Sequence, residues 1–171
     1  MGRSTTPQII DILMAVDADT IISSYPPGTP SKPTPIDETM IYLIVRQENG
    51  VFGEGTGELK VTARTLDTLR WRETSLSVNA TYSAILYKYA PVGGKQNILS
   101  TPYPVVAEVK TPLPVPGNLL HPATQTINSY FWSAQAIAEG EITYAFNFML
   151  TDRDNIVQGY YSWDPFIQVT A

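Results

Sequence analysis

Asp152, Asp154 and Asn155 set three oxygen-bearing side chains within four residues, and Asp17 with Asp19 forms a second acidic pair. Such groups are candidate ligands for a hard cation, since calcium takes six to eight oxygens from flexible loops. Neither group has the spacing of an EF-hand. Asp152-Arg153-Asp154-Asn155 is equally good turn chemistry, because Asp and Asn bond their own backbone and tolerate positive φ. The turn is the favoured reading, with a calcium site at Asp152, Asp154 and Asn155 as its alternative. Carboxylates two residues apart say nothing about the separation that glycosidase chemistry demands. A different chemistry is offered by Tyr160, Tyr161, Trp163 and Phe166 around Asp164. Sugar rings stack on exposed aromatic faces while carboxylates take their hydroxyls, so Tyr161, Trp163 and Asp164 form a candidate glycan site. Alternation along a strand would bury about half of these rings. An interface is the second competitor, since Tyr and Trp are enriched there, and it ranks ahead of the sugar site.

Covalent and redox chemistry find little to work with. The chain has no cysteine and one histidine, His121, in the proline-bounded run Leu119-Leu120-His121-Pro122. A lone histidine makes no triad without a nucleophile and an orienting acid beside it. No catalytic residue is assigned, no cofactor is implied, and the chain is read as a non-enzyme. The absence of cysteine also fits a reducing compartment. A net charge of −5 argues against nucleic acid or an anionic membrane as partner, because both require a basic footprint. Residues 1–6 match the loose myristoylation pattern, read here as coincidence, and no secretory or membrane-spanning run is present.

The elements that must position these residues are strands. Apolar residues fill 43% of the chain and charged residues 16%. Polar surface must therefore come from Ser, Thr, Asn, Gln and Tyr, a habit of sandwiches. Alternation is strongest over residues 75–86, where Leu76, Val78, Ala80, Tyr82, Ala84 and Leu86 interleave with Ser, Asn and Thr. Residues 142–150 repeat it with Ile142, Tyr144, Phe146 and Phe148 on one face. Further strands are expected near 8–16, 40–46, 58–63, 68–73, 105–110, 129–137 and 166–170. Proline and glycine clusters at 25–30, 91–94 and 112–117 read as loops or edges. Asn79-Ala80-Thr81, a glycosylation acceptor pattern, falls inside an expected strand and is discounted. A short helix is conceivable at 119–129 or 64–67. Within 69–74, Leu69, Trp71 and Glu73 share a face. Trp71 is expected to anchor the core, with an arginine of an adjacent strand neutralising Glu73.

Residues 65–71 weakly resemble the turn into a strand of cupredoxin sandwiches. A blue-copper centre needs two histidines and a thiolate, so copper is excluded within this chain. A broader resemblance runs nearly end to end. Ala15-Val16-Asp17-Ala18, Leu69-Arg70-Trp71-Arg72-Glu73-Thr74-Ser75-Leu76-Ser77, Ile85-Leu86-Tyr87-Lys88-Tyr89 and Gly159-Tyr160-Tyr161-Ser162-Trp163-Asp164-Pro165 together resemble the PixA/AidA family of bacterial inclusion-body proteins. The resemblance implies a bacterial, cytoplasmic protein that collects in inclusions or responds to quorum sensing. It implies no reaction, so no catalytic residue is carried over.

The expectation is therefore one domain over residues 1–171, an all-β antiparallel sandwich of roughly nine strands with Greek-key, jelly-roll or cupredoxin-like connections and little helix. Its expected role is non-enzymatic self-association as a homo-oligomer in the cytoplasm. A lectin-like, calcium-assisted carbohydrate module is the alternative.

Overall fold

The computed structural model describes residues 6–170. The myristoylation pattern, apart from Thr6, lies outside them. Two sheets face each other across one core. The strands are β1 (Ile9–Val16), β2 (Thr34–Pro35), β3 (Ile41–Ile44), β4 (Gly50–Phe52), β5 (Lys60–Arg64), β6 (Thr68–Ser75) and β7 (Tyr82–Gly94). They continue as β8 (Tyr103–Leu113), β9 (Ala123–Gln135), β10 (Gly140–Asp152), β11 (Val157–Trp163) and β12 (Phe166–Thr170). The first sheet runs β3-β1-β6-β9-β8; the second runs β2-β11-β10-β12-β5-β4, with β7 also on β10.

Alternation explains the layering. In β1 the even residues Ile10, Ile12, Met14 and Val16 are buried while Ile9 and Leu13 face outward. Leu69 and Trp71 of β6 and Trp132 and Ala134 of β9 join them from the first sheet. The second sheet answers with Ile142, Tyr144, Phe146, Phe148 and Leu150 of β10, the residues whose period two is plainest in the sequence. The expected all-β sandwich is thus present. Its sheets are mixed, however, not antiparallel throughout. β1 pairs parallel with β6, β12 with β5 and β11 with β2. A parallel pair needs a long crossover, and residues 17–67 supply one that carries β2 to β5.

Several local expectations are corrected. The run at 75–86 is broken: β6 ends at Ser75, residues 76–81 turn, and β7 starts at Tyr82. Leu76 and Val78 are exposed, and Val78 and Asn79 carry positive φ. Short hydroxyl and amide side chains have captured the backbone there. Ser75 Oγ accepts from Asn79 N, Ser77 Oγ accepts from Thr81 N, and Asn79 Oδ1 accepts from Ser75 N. This local bonding competes with a ladder, so Asn79-Ala80-Thr81 lies in a turn. Pro91 to Gly94, expected in a loop or at an edge, lie at an edge: they extend β7, which pairs with β10 alone among the described strands, with register shifts absorbing the irregularity. The helix lies at neither expected place. It is α1 (Ala18–Ser24), where Asp17 caps the first turn and Ala18 and Ile21 are buried. Residues 64–67 form a tight turn with Leu66 at positive φ, and 123–129 belong to β9.

The sheets are fastened at their middle. Trp71 Nε1 donates to Tyr144 Oη at 2.9 Å, with both side chains buried. Trp71 also meets the rings of Tyr144 and Phe146 edge-on, at 5.7 and 5.4 Å. Replacing Tyr144 by Phe strands a buried indole N–H, so a loss of about 1–3 kcal/mol is expected in urea unfolding. Trp71→Ala removes the whole anchor and is expected to cost about 3–5 kcal/mol. An unchanged Tyr144→Phe midpoint would show that the bond contributes nothing.

Candidate functional site

The C-terminal aromatics do not form an open sugar platform. Tyr161 is fully buried and Trp163 is 4% exposed, with its indole N–H donating to Gly57 O at 2.8 Å. β11 lays both on the inner face, where Tyr161 packs on Phe148 at 5.8 Å. Asp164 is exposed at the bend into β12. The proposed combination of Tyr161, Trp163 and Asp164 therefore fails for a physical reason: ring faces enclosed in a core cannot stack on a ligand. The sequence held half of the signal: Tyr161 and Trp163 share a parity, but parity does not say which face is the core.

Asp152, Asp154 and Asn155 come together as the turn between β10 and β11. Asp152 Oδ1 accepts from Asp154 N and Ile156 N, and its Oδ2 accepts from Gln158 Nε2. Asn155 takes positive φ there. The Asp152 carboxylate is thus engaged in shaping the hairpin, which removes the reason to assign it to calcium. Asp17 is likewise occupied, accepting from Thr20 N and Thr20 Oγ1. Among the described residues no group of three or more His, Asp or Glu is arranged to hold a metal ion. His121 is exposed beside Asn118 in the turn after β8.

Glu73 departs from expectation in another way. It shares the inward face with Trp71, but no arginine reaches it. Its Oε1 accepts a long bond of 3.5 Å from Leu86 N, and its Oε2 is enclosed without a partner. Desolvation pushes its carboxyl up to about 8, against smaller opposing effects from the Leu86 amide and Arg72. The arginines went to the opposite face, where alternation sends them. Arg70 Nε lies 2.9 Å from Asp11 Oδ1, and Arg72 Nη1 donates to Ser129 Oγ. Both guanidinium groups lie over the Phe131 ring, at 5.4 and 4.3 Å from its centroid.

That outer face of the first sheet is the largest feature the sequence did not reveal. Rows run across it in register: Ile44 beside Leu13, Leu13 beside Arg72, and Phe131 beside Val105. Ile9, Leu13 and Ile44 are exposed on it, and none of the described residues packs over them. At one side the face runs out into an arm. β6 pairs with β9 only from Thr68↔Gln135 to Trp71↔Trp132, whereas β8 and β9 stay paired to Leu113↔Ala123. Residues 105–113 and 123–131 therefore form a two-stranded ribbon beyond the sheet. Its surface carries Val106, Leu113 and Ile127, and its tip carries Leu119 and Leu120, at 69% and 91% exposed. Apolar residues so placed, on a chain poor in charge, make this the candidate surface for an interaction.

One cleft has a distinct electrostatic character. Asp37, Glu38, Glu58 and Asp164, with Ile36 and Trp163, line a space of about 390 Å³. Burial, then the hydrogen bond and charge of Glu38, then the charge of Asp164, raise the Glu58 carboxyl. The Thr39 amide lowers Asp37.

Comparison with known proteins follows the fold. A family model described as PixA, inclusion body protein, matches residues 8–169. The crystal structure of an inclusion body protein of the PixA family from Burkholderia cenocepacia J2315 superposes with a TM-score of 0.83 at 21% identity, covering 99% of this chain and 100% of that one. The solution structure of amebosin aligns over 72% of this chain and 93% of its own at 10% identity, with a TM-score of 0.28, too low to bear on the fold. No curated protein matches the sequence.

The Glu73 environment has a measurable consequence. Unfolded, its carboxyl releases its proton near 4.5; folded, near 8. Between these values the folded state binds the extra proton, so stability falls as pH rises through that window and levels off above it. Glu73→Gln is expected to flatten this decline and to gain on the order of 1–3 kcal/mol over the wild type at pH 8.5. Parallel stability curves for the two proteins across the window would contradict the assignment.

Proposed function

The chain belongs to the PixA family of inclusion body proteins, and from that premise we propose that it is a non-catalytic β-sandwich that self-associates and packs densely in the bacterial cytoplasm. The observation that carries this reading is the uncovered apolar face of the first sheet, continuous with the projecting β8–β9 arm. Apolar area of this kind gains free energy when removed from water, about 25 cal/mol per Å². The few charges on the face offset one another: Asp11 sits beside Arg70 and Arg72. Little local repulsion at this face therefore opposes contact between copies.

The remaining surfaces support nothing more specific. His121 stands in an exposed turn bonded to Asn118, and the Tyr161 and Trp163 rings that a lectin site would present are inside. Among the described residues no helix is long and apolar enough to cross a membrane.

Sedimentation and light scattering from micromolar to millimolar protein are expected to show mass rising with concentration. Leu13→Glu combined with Ile44→Lys, which sets opposite charges across the pair, should reduce that rise while leaving the unfolding free energy within about 1 kcal/mol of wild type. A strictly monomeric wild type over the whole range would sink the proposal.

A further inference from the structure

We propose that β8 pairs through its free edge with β8 of a second copy of this chain, antiparallel and centred on Val109, joining two five-stranded sheets into one of ten strands. The inference rests on the self-association reading and names the surface that carries it.

β8 is the last strand of its sheet, so one side of its backbone has no ladder partner. Proline shows which residues face that side. Pro102, Pro104, Pro112 and Pro114 all occupy even positions, at and just beyond the strand ends. Proline has no N–H to give to β9, so the even residues are the ones directed outward. The odd residues bond to β9 along the unbroken register Tyr103↔Ser133 to Leu113↔Ala123. The free edge therefore offers the amides of Val106, Glu108 and Lys110, framed at each end by prolines that cannot donate. Natural edges use proline and charge to limit unwanted pairing. Here they leave a short window open.

Charge selects the register within that window. Outward groups must oppose outward groups, so an antiparallel two-fold pairing has its centre on a residue, not between two. Centred on Glu108 it opposes glutamate to glutamate, and centred on Lys110 it opposes lysine to lysine. Centred on Ala107 it sets Glu108 against Val106 and Lys110 against Pro104. Centred on Val109 it sets Glu108 against the partner's Lys110, and Lys110 against the partner's Glu108. Both charges then meet an opposite charge twice over by symmetry. Glu108 and Lys110 are exposed and form no ion pair among the described residues. The backbone agrees: Glu108 and the partner's Lys110 exchange both N–H···O bonds, and Val106 N donates to the partner's Pro112 carbonyl.

The same register gives the tip of the arm a destination. Pro116 of one copy falls opposite the partner's Pro102. Beside Pro102 lies a cleft of about 250 Å³ lined by Tyr89, Pro91, Leu99 and Thr101 among others. Leu119 and Leu120, the most solvent-exposed leucines of the chain's arm, are carried to its mouth. An isolated two-stranded ribbon is marginal in water, whereas two ribbons joined through β8 make four strands held by three ladders.

The test is a charge swap read by sedimentation equilibrium at low ionic strength, where exposed pairs count most. Glu108→Lys alone, or Lys110→Glu alone, places like charges opposite each other at both symmetric positions. Each is expected to weaken dimerisation by about tenfold or more. The double variant Glu108→Lys/Lys110→Glu restores the opposition and is expected to return close to wild-type affinity. Glu108→Pro removes an outward amide at a parity where the strand already accepts proline; it should give a folded monomer with an unchanged circular dichroism spectrum. If the wild type dimerises and all four variants match it, this edge is not the interface, although self-association stands. If the double variant is as weak as the singles, the Val109 register is wrong. A wild type that never dimerises overturns both the edge pairing and the reading beneath it.

Discussion

The contact between Trp71 and Tyr144 is the point at which two separately twisted sheets become one interior. The indole N–H meets a buried acceptor, so the ring is enclosed with its donor satisfied, and Phe146 closes the side. Tyr89 stacks on Tyr144 at 5.7 Å, and burial pushes its phenol up to about 12. A second buried indole is satisfied the same way. Trp132 Nε1 donates to Leu86 O at 3.1 Å and to Tyr130 Oη at 2.9 Å, and Tyr130 Oη donates to Leu86 O in turn. These donors tie the first sheet to β7, across the gap that hydrophobic contact alone would leave free to slide. Aromatic mass supplies the energy and polar handles fix the alignment.

The cost of the arrangement is concentrated at Glu73. Its parity puts it beside Trp71 and opposite Met14, and the Leu86 amide that reaches it is distant. Arg70 and Arg72, one residue away on either side of Trp71 and Glu73, are committed to the opposite face. No rotation of the strand brings one of them inward without exposing the tryptophan. A carboxyl so placed holds a proton near neutrality.

What the sequence made legible follows from how local each cause is. The layers of β1 and β10 could be read because every second residue obeys one rule over seven or more positions. Trp71 as anchor could be read for the same reason. The turn at 76–81 could not, because Leu76, Val78 and Ala80 satisfy the strand rule while Ser75, Ser77 and Asn79 bond the backbone away from it. α1 was hidden behind Asp17 and Asp19, whose chemistry serves a helix start as well as a cation. Tyr161 and Trp163 were legible as alternating but not as inward, since parity alone does not say which face is the core. The exposed outer face had no signature at all. Ile9, Leu13 and Ile44 look like core residues in a string of letters, and only the register of three strands shows that they share a surface.

The order of strands along the chain also has a consequence for synthesis. Every strand of the first sheet lies before residue 136, whereas β10, to which β7, β11 and β12 are all joined, begins at Gly140. A ribosome-bound chain can assemble the first sheet while Ile12, Trp71 and Trp132 still face water. The parallel β1–β6 ladder closes across more than fifty residues, a slow step in any search. Until the final segment leaves the exit tunnel, the nascent molecule presents two greasy surfaces where the finished one presents one. The self-association proposed above would then start between such half-built chains on crowded polysomes, before release.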